Sequence, residues 1–310
     1  MLDPDLVENW NPDKEADRFL FHRPVSKAQG EGDAFEFYRE ELRLAKVLGA
    51  ASASAANEAI NAFKRATGLD APKPVARKAR AIDLERAVRD LDPIMRTAWT
   101  SQTEGVVSDL ISAITARGAK RAGAYKQFER FQSRPLIESG MVAAAKYSTN
   151  TYFNRVVMPA MINDIQQKAK DGKPFDDAFF REMQATLSRR LKSVPYWKNV
   201  ASQASSRAYH YGMMRAGLQK GYRTYTLRAV VDERTSDVCL ALNGKTFNID
   251  SGVAYAERTA LIDPDKMKDE APWATMDRIE GKTAGQLVRA GISLPPFHFG
   301  GCRTTVDLNK

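Results

Sequence analysis

The stretch that decides the fold runs from Tyr222 to Ile249, "YRTYTLRAVVDERTSDVCLALNGKTFNI". Before it the apolar residues recur at helical spacing. Within it the chain turns to Thr, Tyr and Val, residues that suit a pleated, half-buried strand. Residues 222–232 therefore read as a strand. "CLALNGKTFNI" reads as a hairpin, because Asn243-Gly244 suits a tight type I′ turn between alternating apolar positions. The expected architecture is mainly α, with a helical body and a small α+β C-terminal module that contains a β-hairpin.

Upstream, the helix "YWKNVASQASSRAYHYGMMRAGLQKGY" carries Ala204, Ala208, Gly212 and Ala216 at intervals of four. A ridge of small residues lets a second element approach closely. His210 has no acidic or cysteine neighbour four residues away and reads as a structural histidine. Residues 137–171 and the segment after Asp176-Asp177 also read as helices. Pro159 stands at a first turn or a kink, and Gly172 and Pro174 act as a stop. Val106, Val107, Leu110, Ile111 and Ile114 mark a core-facing stripe within residues 81–131. Nearer the N-terminus, Asp33 with Glu36 fits a capping box. Gly49 reads as a break between two helices that could pair antiparallel. Residues 253–294 are mixed, with a short helix around "AGQLVRAG".

Three segments follow: an extended arm over 1–32, a helical body over 33–195, and a module over 196–310. The arm holds Pro4, Pro12, Pro24, Gly30 and Gly32 among charges, with Trp10, Phe19 and Phe21 as apolar anchors. Within the body, "LDAPKPVARKAR" (69–80) is a Pro-containing basic linker. Its Lys73, Arg77, Lys78 and Arg80 suit contact with DNA, or simply form a solvated face.

The chain has 310 residues, 47 Lys+Arg against 38 Asp+Glu, and a formal net charge of +9. That excess favours acidic partners but says nothing about fold. Two cysteines in this length cannot build a secreted disulfide framework, which points to a reducing compartment. The acidic N-terminus lacks a leader's apolar segment, and no run approaches the roughly 18 apolar residues of a membrane span.

Chemistry concentrates in "VDERTSDVC" (231–239) and "PPFHFGGCRTTV" (295–306). Thiolate and imidazole are preferred zinc ligands, and a tetrahedral site takes four donors. Cys239, His298 and Cys302 supply three, with Asp232 or water as the fourth. A structural metal, two reduced buried thiols and a Cys239–Cys302 crosslink all fit the residues. Each brings the two ends of the module together. A Cys302–His298 nucleophile is a further reading, with Arg303 lowering the thiol pKa. It lacks an identifiable third group and oxyanion site. Arg234 and Arg303 suit planar pairing with Asp232, Glu233 or Asp237. "EGKTAG" copies the end of a phosphate loop, but Met276 replaces its first glycine and no strand precedes it.

The order of these pieces resembles the phage head-morphogenesis family of minor head proteins, the Mu F-like group. The matching residues are Asp232, Arg234, Thr235, Cys239, Gly244, Pro295, Pro296, His298, Cys302 and Arg303, within about residues 200–308. The closing turn departs from the family's His-x-x-Cys by one extra residue. The resemblance implies a structural virion protein without enzymatic activity. It would sit in the head interior or at the portal vertex, and in the host cytoplasm during assembly. Implied partners are the portal protein, the major capsid protein and packaged double-stranded DNA, with several copies around a ring and no membrane in the mature head. Asp232, Arg234, Thr235, Cys239, His298, Cys302 and Arg303 would form a structural lock, fastened by zinc if by any cofactor. The alternatives are a Cys/His-dependent hydrolase or nuclease, and a free, non-specific DNA-binding protein.

Overall fold

The computed structural model describes residues 38–67, 90–123, 135–152, 158–171, 176–192, 195–233, 235–263, 266–298, 302 and 304–310. The N-terminal arm, the Asp33 cap and the 69–80 linker lie outside these residues.

Among the described residues six long helices come first: α1 (Tyr38–Thr67), α2 (Leu91–Arg121), α3 (Pro135–Tyr152), α4 (Met158–Lys170), α5 (Asp177–Lys192) and α6 (Pro195–Gln219). Then follow β1 (Thr224–Ala229), α7 (Asp237–Leu242), β2 (Thr246–Asn248), α8 (Ile249–Leu261), α9 (Met267–Glu270), α10 (Met276–Ile279), α11 (Ala284–Arg289) and β3 (Thr304–Asn309). The chain is mainly helical with a small C-terminal sheet, as expected.

Contacts divide the described residues into two units, one from 45–106 and 146–197, the other from 38–44, 107–145 and 198–310. The division read from sequence at 195/196 falls beside the 197/198 edge. The contacts also place 107–145 with the C-terminal residues.

The first unit is built on an alanine-rich face. Ala51, Ala55, Ala56 and Ala59 are buried with Ile60 and Phe63. Phe63 packs 6.3 Å from Phe180 of α5, and Phe179 meets Phe180 edge-on at 5.3 Å. Asp176 holds the start of α5 by accepting from Phe179 N at 2.9 Å, which lowers its carboxyl pKa. Gly49 does not break the chain, and α1 runs through it. Its missing side chain leaves room for buried Trp197, whose Cδ1 would lie 3.2 Å from a Cβ there. A helix tolerates one glycine when packing compensates.

In the second unit, α2 and α6 touch backbone to backbone through the small-residue ridge. A Cβ on Gly212 would stand 1.9 Å from Thr115 O, and one on Gly118 would stand 1.9 Å from Tyr209 O. Ala204, Ala208 and Ala216 are buried along the same ridge.

The sheet is antiparallel, in the order β2-β1-β3. Tyr225 pairs with Phe247 and Leu227 with Val306, and all four are buried. The opposite face is polar, with Arg228 bound to Asp307 at 2.7 Å and Thr226 to Thr246 at 2.9 Å. The expected tight hairpin is not formed. Residues 237–242 are helix α7, and β1 meets β2 only after it. Ser236 caps that helix by accepting from Cys239 N, Asp237 suits its positive end, and Cys239 and Leu242 bury one face. Spacing of three turned what reads as alternation into a helical turn. Asn243-Gly244 does make the reversal into β2, with Gly244 at φ +79 and its N–H donating to Leu227 O at 2.8 Å.

Helix α8 occupies part of the region read as mixed. Asn248 caps it by accepting from Asp250 N, and Ile249, Val253, Ala256 and Ala260 are buried. No helix among the described residues is long and apolar enough to cross a membrane.

Candidate metal centre

Three elements bring the C-terminal cluster together. Helix α7 presents buried Cys239. The segment after α11 brings His298, and Cys302 precedes β3, which the β1 ladder fixes in register. Gln203 on α6 donates from Nε2 to His298 O at 2.8 Å. Phe297 O accepts from Ala274 N at 2.9 Å. The closing segment is thus tied by its backbone on both sides of the histidine.

Cys239 Sγ lies 3.2 Å from His298 Nε2 and 3.8 Å from Cys302 Sγ. The donor atoms of the three residues all lie within 4.8 Å of one another. Ser236 Oγ contacts His298 Nε2 at 2.9 Å, and Phe297 N donates to Cys302 Sγ at 3.4 Å. Both cysteines are free, and a disulfide requires about 2.05 Å between sulfurs.

The two thiols share their protons unequally. The Cys302 S–H beside it, then His298 and Ser236, hold Cys239 well below the usual thiol range against the opposing effect of burial. Cys239 next door and its own burial push Cys302 well above that range. The pairing draws Cys239 toward the thiolate, the form that binds metal.

Two of the three donor separations come close to those of a zinc site. With bonds of about 2.3 Å to sulfur and about 2.0 Å to nitrogen, tetrahedral ligands stand roughly 3.8 Å apart for S–S and roughly 3.5 Å for S–N. The observed 3.8 Å matches the first, and 3.2 Å is slightly inside the second. Cys239, His298 and Cys302 would supply three donors. Asp232 is not among the clustered groups. Its N–H donates to Thr235 Oγ1 at 2.9 Å, its carboxylate accepts from that hydroxyl at 3.3 Å, and its carbonyl accepts from Thr235 N at 3.0 Å. Thr235 also donates to Val230 O. Asp232 and Thr235 therefore fold the turn between β1 and α7, which sets Ser236 at the head of the helix.

Arg234 and Arg303 lie outside the described residues, as do Lys73, Arg77, Lys78 and Arg80. His210 is buried in α6, 2.8 Å from Ser206 O, and burial lowers its pKa to about 4. Among the described residues it belongs to no cluster of metal donors. "EGKTAG" is a helix start: Thr283 and Gln286 form a capping box on α11.

Sequence reading missed Ser236 and Gln203. Ser236 had a signal, a hydroxyl residue three positions before a buried Cys in an N-cap pattern. Gln203 lies 95 residues from His298, and nothing local announces that contact.

No protein-family model, curated protein or solved structure matches this chain.

Proposed function

We propose that this chain is a minor head protein of the phage head-morphogenesis type, whose C-terminal module is closed by a zinc-holding clasp of Cys239, His298 and Cys302. The supporting observation is the convergence of three metal-type donors that stand 59 and 63 residues apart in sequence. They come from the two segments, 231–239 and 295–306, that carry the resemblance to that family. Cys239 is 0% exposed, which suits a fastening. Bound zinc would supply crosslinking strength, as structural sites do.

On this reading the protein works in the head interior or at the portal vertex, beside portal or major capsid protein and packaged DNA. The experiment is a phage assembly system carrying wild type or His298→Ala. Purified heads should contain the wild-type protein and little of the variant. A wild-type protein absent from heads would overturn the virion reading. A variant that enters heads normally but loses a measurable hydrolytic activity would favour an enzyme instead.

A further inference from the structure

A second cluster, of arginines, lies in the same unit. Arg207 of α6, Arg258 of α8 and Arg278 of α10 are joined through shared neighbours. The Arg207 guanidinium lies 5.9 Å from the centroid of the Trp273 ring. Arg278 donates to the carbonyl of the same Trp273 at 3.4 Å and to Ala290 O at 3.1 Å. Arg258 Nη2 stands beside the next residue, 3.4 Å from where a Cβ on Gly291 would be. Tyr255 closes the circle, since its phenol feels the charge of both Arg207 and Arg258.

Among the described residues, what the three arginines lack is a carboxylate at ion-pair distance. Arg117, Arg215 and Arg228 each pair with a carboxylate. Among the described residues, Arg207, Arg258 and Arg278 pair with none. Withdrawing a cation from water without a counter-charge is costly. Arg207 shows that cost: burial lowers its proton affinity, with Tyr255 opposing. Arg278 gives two of its five N–H donors to carbonyls, which leaves donors available. Trp273 and Arg258 are exposed and Arg207 and Arg278 half-buried, so the patch meets solvent at Trp273 and Arg258.

We propose that Arg207, Arg258 and Arg278 form a binding site for phosphate oxyanions, either carried on a nucleic-acid backbone or free in solution. Arginine's planar fork matches phosphate geometry in two parallel hydrogen bonds. Neighbouring cationic forks supply the positive field a phosphate needs. The exposed Trp273 ring offers a base an aromatic surface to stack on when the phosphate belongs to a nucleic acid. The inference stands on this patch alone and does not depend on the virion reading.

The test uses the full purified chain, with Arg258→Gln and Arg278→Gln singly and together. The double variant is checked for wild-type circular dichroism before use. One arm measures the thermal midpoint with inorganic phosphate against chloride at matched ionic strength. A second measures binding of labelled single-stranded and duplex 20-mers across a salt series. Where nucleic acid is the source, the double variant should bind on the order of ten-fold more weakly. Its log–log salt slope should be smaller by roughly 1.8 on duplex, two phosphate contacts having been removed. Where free phosphate is the source, phosphate should raise the wild-type midpoint and leave the double variant unmoved. The proposal fails if neither arm responds in wild type, or if the responses survive the double substitution. It fails equally if polyglutamate binds as tightly as the oligonucleotides through the same arginines. If the double variant does not fold, the single variants carry the same comparison.

Discussion

Cys239 Sγ and His298 Nε2 stand 3.2 Å apart although 59 residues separate them in the chain. That contact joins helix α7 to the segment leading into β3. Whatever fastens it holds the last residues of the module in place.

The first prediction is metal retention. Protein purified without chelator should carry about one zinc per chain by elemental analysis. His298→Ala and Cys302→Ser should each lose it. Binding to the folded state alone stabilises by about 2.7 kcal/mol when free ligand is 100-fold above its Kd, so chelation should lower the unfolding midpoint by several degrees. Metal-free protein whose midpoint ignores both zinc and chelator would refute the clasp as a zinc site.

A second prediction concerns redox. The sulfurs lie 3.8 Å apart, close enough for a small movement to join them. One equivalent of peroxide should take both thiol hydrogens, form the Cys239–Cys302 bond and leave two waters. Intact mass should fall by two hydrogens in metal-free protein, and bound zinc should slow the change. Stepwise oxidation of Cys302 alone, without a crosslink, would contradict this geometry.

How much of this was legible in the sequence depends on the range of the interaction. The ridge Ala204-Ala208-Gly212-Ala216 was readable because small residues at intervals of four have one packing use. β1 was readable from the Thr and Tyr of "TYTLRA", although the strand ends at Ala229, short of the expected Asp232. Helix α7 was misread because "CLAL" satisfies both periods, and the cap on Ser236 decided between them. Gly49 was misread because the compensating partner, Trp197, lies far along the chain. For the cluster, residue types named Cys239, His298 and Cys302, while the choice against Asp232 needed the fold of the 232–235 turn.

The close approach of α2 and α6 gives a third prediction. Gly212→Ala would put a Cβ 1.9 Å from Thr115 O. The helices must then separate, costing at or above the upper end of about 1–3 kcal/mol typical of overpacking. Gly285→Ala on α11 is the control. There a Cβ meets only Arg289 Nη1, at 3.9 Å, and helix propensity should add up to about 1 kcal/mol. Chemical denaturation of both variants checks the pair, and equal effects would contradict the backbone contact.

The fourth prediction sets two buried groups against each other across mildly acidic pH. Burial raises the Glu41 carboxyl to about 7, while the Lys198 charge and a Ser202 hydrogen bond oppose. In the unfolded chain it titrates near 4.5, so between these values the folded state holds the extra proton. Its contribution is therefore full below about 4.5 and is lost as pH rises through about 7. His210 runs the other way. Its folded value of about 4 lies below the ordinary 6.5, so its contribution is present above 6.5 and is lost as pH falls through about 4. Over their shared window the two slopes oppose, and wild type should show little net pH dependence from this pair. Glu41→Gln removes one side. The variant should gain on wild type as pH rises from 4.5 to 7, by on the order of 3 kcal/mol at most, and the difference should then level off. Urea midpoints at pH 4.5, 5.5, 6.5 and 7.5 measure it. A difference constant across the series would mean that Glu41 titrates alike in both states, and the buried-carboxyl account would fall.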